Sequence, residues 1–311
     1  MNNKNKITKF FRKPFAYAIV FGTLLTSANG YVLLKTYAIP SVEGHVMEAQ
    51  DNSYYDEVAS SAPEQSETTD TSYTDEKIQI SISTVRYNDT DVYIADVKLS
   101  SAAYLKTALA SDTFGRNVTQ KTSGIASDHN AILAINGDYY GANSQGYVIK
   151  NGVIYRDTAR RRTEYDDLVI YKDGSFGIIN ESQVSAQELL DSGVVNLFAF
   201  GPALVSNGKV VISQGEEVGR AMANNPRTAI GMIDDLHYIL VVSDGRTNAS
   251  TGLSLYELAQ VMKQYGCVTA YNLDGGGSST MYFNGQVINN PTTNGNRISE
   301  RSVSDIVYIG Y

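Results

Sequence analysis

The sequence predicts an α+β fold, a mixed and largely antiparallel sheet with a few packed helices, forming a single globular domain behind an N-terminal membrane anchor. Three observations predict it. Alternating apolar runs are joined at Asn-Gly and Asp-Gly pairs, helices are few but lead into apolar strands, and a charge-free run near the N-terminus follows a basic flank. With 42% hydrophobic and 19% charged residues over 311 positions, the composition is that of a globular chain and excludes a collagen-like or wholly disordered one.

Charge divides the chain into regions. Residues 1–13 carry Lys4, Lys6, Lys9, Arg12 and Lys13, and residues 14–34 contain no charge. That length suits a transmembrane signal anchor, and the basic flank predicts a cytoplasmic N-terminus with the bulk of the chain outside the cell membrane. The competing reading is a signal peptide cleaved near residues 26–28, which would make the protein secreted. Residues 35–76 are acidic and rich in Ser and Thr, the composition of a disordered tether that cannot bury enough apolar surface to order itself. Residues 77–311 hold the globular domain. This part is mildly acidic and has no basic run, so it lacks the footprint of a nucleic-acid partner.

Within that domain, IQISISTV (78–85) and VYIADVKL (92–99) read as a hairpin, and Asn151-Gly152, Asp173-Gly174, Asn207-Gly208 and Asn284-Gly285 mark four more. Ser254 with Glu257 three residues on, and Leu253 with Leu258, predict a capped helix running to Gly266 and leading into a strand over 267–273. A second helix is expected over 120–130 before a strand at 131–136, and a third over 186–192.

Three loops leave apolar strands with polar residues at the strand end: AINGDYY (134–140), VVSDGR (241–246) and NLDGGGSST (272–280). Their aspartates, Asp138, Asp244 and Asp274, are candidates for the acid and the base or nucleophile of glycosyl transfer to water, or else hydrogen-bonded turn residues. Gly275, Gly276 and Gly277 with Ser278 and Ser279 suit an anion nest of backbone amides and hydroxyls. Arg227, Arg246 and Arg301 suit bidentate anion binding, and Asn136 either orients a sugar hydroxyl or caps its own turn. The loop is no P-loop, lacking G-x-x-x-x-G-K-[ST], and no nucleophile elbow, since 276–280 reads GGSST. With three histidines, a His-rich zinc site and an HExxH protease are excluded. No cofactor is required by the residues; a divalent cation held by carboxylates remains open. Cys267, opening a strand, is expected to be a small buried residue rather than a nucleophile.

Taken in order, AINGDYY, GPALVSNG (201–208), PRTAIG (226–231), VVSDGR, STGLSLYELA (250–259), NLDGGGSSTM and ERSVSDIVYIG (300–310) resemble the phosphodiester glycosidase domain family, from about residue 131 onward. The resemblance implies hydrolysis between a sugar's anomeric carbon and a phosphodiester oxygen, leaving a phosphate monoester. It implies Asp138, Asp244 and Asp274 as catalytic candidates. Substrate contacts would come from Asn136, Arg227, Arg246, Gly275, Gly276, Gly277, Ser278 and Ser279, with Arg301 an addition from the closing motif. The exported orientation points to an envelope glycopolymer or other phosphosugar as partner. The rival readings are a non-catalytic module gripping phosphosaccharides, and a phosphodiesterase cleaving the phosphorus–oxygen bond, which the scarcity of histidine disfavours.

Overall fold

The computed structural model describes residues 13, 15–42, 48–49, 63, 65–161, 166–217 and 224–311. The chain divides into two units, Met1–Ser41 and Val42–Tyr311. The first holds one helix, Ala16–Tyr37, apolar on every side, with Phe21, Leu24, Tyr31 and Leu33 exposed. At about 1.5 Å per residue it is about 33 Å long, enough to cross a hydrocarbon core. It extends the predicted run by a turn at its C-terminal end. The basic residues Lys4, Lys6, Lys9 and Arg12 lie outside the described residues.

Residues 43–47, 50–62 and 64 of the stretch read as a tether also lie outside the described residues. Its last part departs from that reading. Glu67–Thr68 and Ser72–Thr74 are antiparallel strands of the main sheet, so the folded domain begins by Glu67 rather than at Lys77. The cause is Tyr73, which is buried in the core while its hydroxyl donates to Asp75 Oδ2 at 2.7 Å. A strand of three residues is too short to show periodicity in sequence.

Two sheets form the body of the second unit. The larger has nine strands, ordered Lys209–Val210, Ala203–Ser206, Thr269–Asn272, Arg227–Asp234, His237–Ser243, Thr90–Leu99, Ile78–Tyr87, Ser72–Thr74 and Glu67–Thr68. The smaller has five: Gln286–Val287, Met281–Phe283, Leu133–Asn136, Asp305–Ile309 and Leu105–Leu109. Pairing within both is antiparallel throughout. A third sheet, Phe176–Ile179, Asp167–Tyr171 and Val194–Phe198, lends Leu168, Ile170 and Phe198 to the same core.

Side-chain alternation explains the layering. Along His237–Ser243, Tyr238, Leu240 and Val242 point into a core shared with Leu133, Ile135, Val307 and Ile309 of the smaller sheet. Ile239 and Val241 point the other way, onto Leu258, Val261 and Met262 of the helix Leu255–Gln264. Ala134, Ile306 and Tyr308 likewise turn outward onto Ile125 and Ala126 of the helix Thr122–Asp128. The result is a two-sheet sandwich with a helix on each outer face. Strands buried on both faces read as the continuous apolar runs seen in the sequence.

Local signals hold where they were expected. The turn residues Asn88, Asn151, Gly152, Gly174, Asn207, Gly208, Asn284 and Gly285 all take the positive φ that tight hairpins require. Ser254 Oγ accepts from Glu257 N at 3.2 Å, and Glu257 Oε2 accepts from Ser254 N at 2.8 Å, closing the capping box. Ser185 and Glu188 make a second box on the helix Ala186–Asp191. Cys267 is fully buried, which pushes its thiol up to about 12 and removes it as a nucleophile.

Antiparallel pairing brings the C-terminal ends of Leu133–Asn136, His237–Ser243 and Thr269–Asn272 level with the N-terminal ends of Arg227–Asp234, Met281–Phe283 and Asp305–Ile309. At that end Asn136, fully buried, ties the two sheets. Its Nδ2 donates to Asp274 O at 2.7 Å, and its Oδ1 accepts from Thr228 Oγ1 at 2.8 Å and Thr280 N at 3.2 Å. Asn136→Ala leaves three buried groups without this partner, at about 1–3 kcal/mol for each orphaned group. Urea unfolding of the full chain is expected to show a loss of at least about 3 kcal/mol, and a loss under about 1 kcal/mol would contradict the tie.

Candidate active site

Asp274 stands where the strand Thr269–Asn272 leaves the sheet. Its peptide is held on both sides, since its amide donates to Gly137 O at 3.2 Å and its carbonyl accepts from Asn136. The carboxylate meets Arg301, whose Nη2 donates to Oδ2 at 3.0 Å and Oδ1 at 3.3 Å while Nε donates to Ser278 Oγ at 2.9 Å. Burial pushes the Asp274 carboxyl above the usual carboxylate range; Arg301 and the Ser278 hydroxyl pull it back.

Two clefts meet at this pair. One, of about 420 Å³, is lined by Tyr139, Phe200, Asn117, Thr119, Asp274 and Arg301 among others. The other, of about 210 Å³, is lined by Asn225, Arg227, Arg246, Gly276, Asp274 and Arg301, with Phe200 again on its border. Arg246 reaches the smaller cleft with its Nη2 donating to Asn225 Oδ1 at 2.9 Å and its Nη1 to Thr293 O at 2.5 Å. Both acceptors are neutral. Burial and the neighbouring Arg301 lower its hold on its proton, so the charge there is only partly balanced by Asp274.

The remaining expected residues divide. Arg227 borders the smaller cleft but is buried, with Nη2 2.5 Å from Glu217 Oε2 and Nε donating to Leu253 O at 2.8 Å. Gly275 and Gly276 line the smaller cleft, yet the nest of bare amides does not form. Gly276 N donates to Pro226 O at 2.8 Å and Ser279 N to Gly276 O at 3.2 Å. The glycines serve close packing instead. A Cβ on Gly275 would lie 2.8 Å from Pro226 O, and Gly276, at φ +64°, faces the Arg246 guanidinium. Gly277, Ser278 and Ser279 are buried, with Ser278 bracing Arg301. Asn136 is a tie rather than a sugar ligand.

Asp244 is not brought to the clefts. It is buried, its Oδ1 accepting from Asn290 N at 2.8 Å and its Oδ2 from Asn290 Nδ2 at 2.8 Å, so it fastens the loop at 289–290 to the strand end. Asp138, 2% exposed, lies behind the clefts. Its Oδ1 accepts from Tyr140 N at 2.9 Å and its Oδ2 from Ala199 N at 3.0 Å. Of the three aspartates expected together, Asp274 lines both of these clefts and Asp138 and Asp244 line neither. His129 and His237 pair with Asp112 and Asp96 away from both clefts, and His45 lies outside the described residues. Among the described residues no three His, Cys, Asp or Glu side chains group to hold a metal ion.

Sequence reading missed a buried charge cluster beside Asp138. Lys150 Nζ lies 2.6 Å from Asp305 Oδ2 and 3.9 Å from Asp138 Oδ2, over the Phe198 ring at 3.7 Å from its centroid. Asp305 sits inside the quoted ERSVSD motif, so its position was visible and its role was not; Lys150 carries no signal before a turn. Burial raises the Asp305 carboxyl to about 7 against the pull of Lys150. Between pH about 4 and about 7 the unfolded chain releases this proton while the folded chain keeps it, so stability falls as pH rises through that window. Lys150→Met removes the compensating cation. Its cost is expected to be small at pH 5 and about 1 kcal/mol greater at pH 8, where the native chain has ionised Asp305 and the variant keeps it protonated, measured by urea unfolding at both; an equal cost at the two would contradict the pairing.

The family model described as phosphodiester glycosidase matches residues 129–310. A SPbeta prophage-derived uncharacterized protein of Bacillus subtilis is 32% identical over 204 residues, covering 65% of this chain and 31% of that protein. The N-acetylglucosamine-1-phosphodiester alpha-N-acetylglucosaminidase of Mus musculus is 32% identical over 130 residues, 37% of this chain and 25% of the mouse protein. The chain thus spans less than a third of the length of these relatives. In fold it is similar to the catalytic domain of the zebrafish N-acetylglucosamine-1-phosphodiester alpha-N-acetylglucosaminidase auto-inhibited by its pro-peptide. That match has a TM-score of 0.60 and 19% identity, covering 89% of this chain and 97% of that one. With more than half of its length matched by the family model, the chain belongs to the phosphodiester glycosidase family.

Proposed function

We propose that the chain hydrolyses the bond between a sugar's anomeric carbon and a phosphodiester oxygen, on an extracellular glycan or envelope glycopolymer. The observation that carries this reading is one buried carboxylate, Asp274, at the junction of two clefts, facing two guanidinium groups, Arg301 and Arg246. The smaller cleft then takes the phosphate and the larger one the sugar. Water adds to the anomeric carbon, one of its protons staying on the new sugar hydroxyl and the other passing to solvent or to the departing phosphate, while the bond from that carbon to the phosphodiester oxygen breaks and its electrons pass to that oxygen. A phosphate monoester has a second pKa of about 6, so it departs as an anion without full protonation. The catalytic demand shifts to neutralising that charge, which the arginines serve, and to stabilising positive charge at the anomeric carbon, which the Asp274 carboxylate serves. Asp138 and Asp244 act behind this arrangement. The apolar helix Ala16–Tyr37, preceded by five basic residues, supports a single-pass anchor with the N-terminus cytoplasmic.

The full chain in detergent is expected to release free sugar from a panel of sugar-1-phosphodiesters. Asp274→Asn should lower kcat/KM by about 10³-fold with the folded state retained. In ¹⁸O-labelled water the label should enter the sugar; label in the phosphate would establish phosphorus–oxygen cleavage instead. Saturable binding of the panel without turnover would make the chain a gripping module.

The pH profile provides a second check. Because Asp274 works ionised while burial holds its carboxyl high, kcat/KM should rise with pH along a limb displaced above the usual carboxylate range. Arg301→Gln removes a group that lowers that value, so the limb should move to higher pH. A shift towards lower pH would contradict the assignment.

A further inference from the structure

We propose that Tyr139 and Phe200 form the seat for the sugar ring and that Asp138 is the positioning residue that aligns them; this rests on the reading of the substrate as a sugar phosphodiester. Tyr139 is 43% exposed although Asp138 and Tyr140 on either side are buried. Its ring meets Phe200 edge to face, with centroids 5.5 Å apart and planes at 68°. Both line the larger cleft, whose volume of about 420 Å³ suits a small ligand. The cations stand at its border, on Arg301, and beyond it, on Arg246, so the uncharged half of the substrate belongs on the aromatic side. A pyranose offers an apolar C–H face to such a wall and a hydroxyl edge to polar groups, here Asn117, Thr119 and Ser302.

Both rings are carried by loops, so something must fix the loops. Asp138 accepts from the amide of Tyr140, the residue after Tyr139, and from the amide of Ala199, the residue before Phe200. Arg160 Nη1 donates to the Ala199 carbonyl at 3.1 Å, holding that residue's backbone from a second side. One carboxylate thereby sets the spacing of two aromatic side chains without lining either cleft.

The chain contains no tryptophan, so Phe200→Trp in the full chain places a lone indole at the cleft, with Tyr139→Trp as the substitute if the first variant fails to fold. Free hexoses and N-acetylhexosamines titrated into this protein should change its indole emission saturably, and inorganic phosphate should leave it unchanged. Tyr139→Ala combined with Phe200→Trp should weaken that binding about tenfold, and in the native background should raise KM about tenfold while kcat falls less than about threefold. Asp138→Asn should weaken sugar binding in the reporter chain while the acidic limb of kcat/KM keeps its position. Loss of that limb would make Asp138 a proton-transfer group and overturn its positioning role. Turnover of sugar phosphodiesters with no emission response to any sugar, or a response to phosphate as strong as that to sugar, would overturn the seat and leave the activity standing. Saturable sugar binding with no turnover would support the seat and overturn the activity.

Discussion

The polar seam between the two sheets is buried, so its groups need partners, and the placement of the candidate site follows from how they find them. Asn136 faces groups from segments far apart in the chain, the hydroxyl of Thr228, the amide of Thr280 and the carbonyl of Asp274. A side-chain amide has donors and acceptors enough for this, and no apolar residue could replace it without orphaning its partners. Since Gly137 O also accepts from the Asp274 amide, two adjacent residues of one sheet hold both sides of one residue from the other. The carboxylate of Asp274 is presented from a peptide that has little freedom left.

Charge is distributed on the same principle. Deep in the domain the buried charges of Lys150 and Asp305 are paired, as the low dielectric requires, and Arg227 at the border of the smaller cleft is paired with Glu217. At the clefts the pairing stops short: Arg301 meets Asp274, while Arg246 is held by neutral acceptors. That surplus of positive charge beside a protein-lined cleft is the feature that suits an anion, because a cleft lined by one sign of charge focuses the field on its guest.

Much of the scaffold was legible in the sequence because its signals are local. Asn-Gly turns need positive φ within two residues, and a capping box needs Ser and Glu three apart, so Ser254 and Glu257 announce their helix without reference to anything distant. Asp274 and Arg246 were legible as polar residues in loops that leave apolar strands, and Arg301 as a candidate anion ligand in the closing motif; the structure places all three at the clefts. What a carboxylate faces is set by packing across the fold, which no local pattern encodes. Asp244, Asp138 and Asp274 look alike in sequence, yet the first fastens a loop, the second ties two amides and the third lines the clefts. Gly276 N likewise donates to Pro226 O and Ser279 N to Gly276 O, bonds that no local pattern announces, and Lys150, Tyr139 and Phe200 are ordinary residues until the sheets bring them together.

Both margins of the nine-stranded sheet are two-residue strands, Lys209–Val210 and Glu67–Thr68, each carrying an ionised side chain. A long antiparallel sheet with open flanks is a template for pairing with its own kind. Here a neighbouring copy would find few free backbone groups and a charge already in the way. By folding Glu67–Thr68 and Ser72–Thr74 onto the flank, the end of the acidic stretch gives the sheet a short, charged margin in place of a long open one.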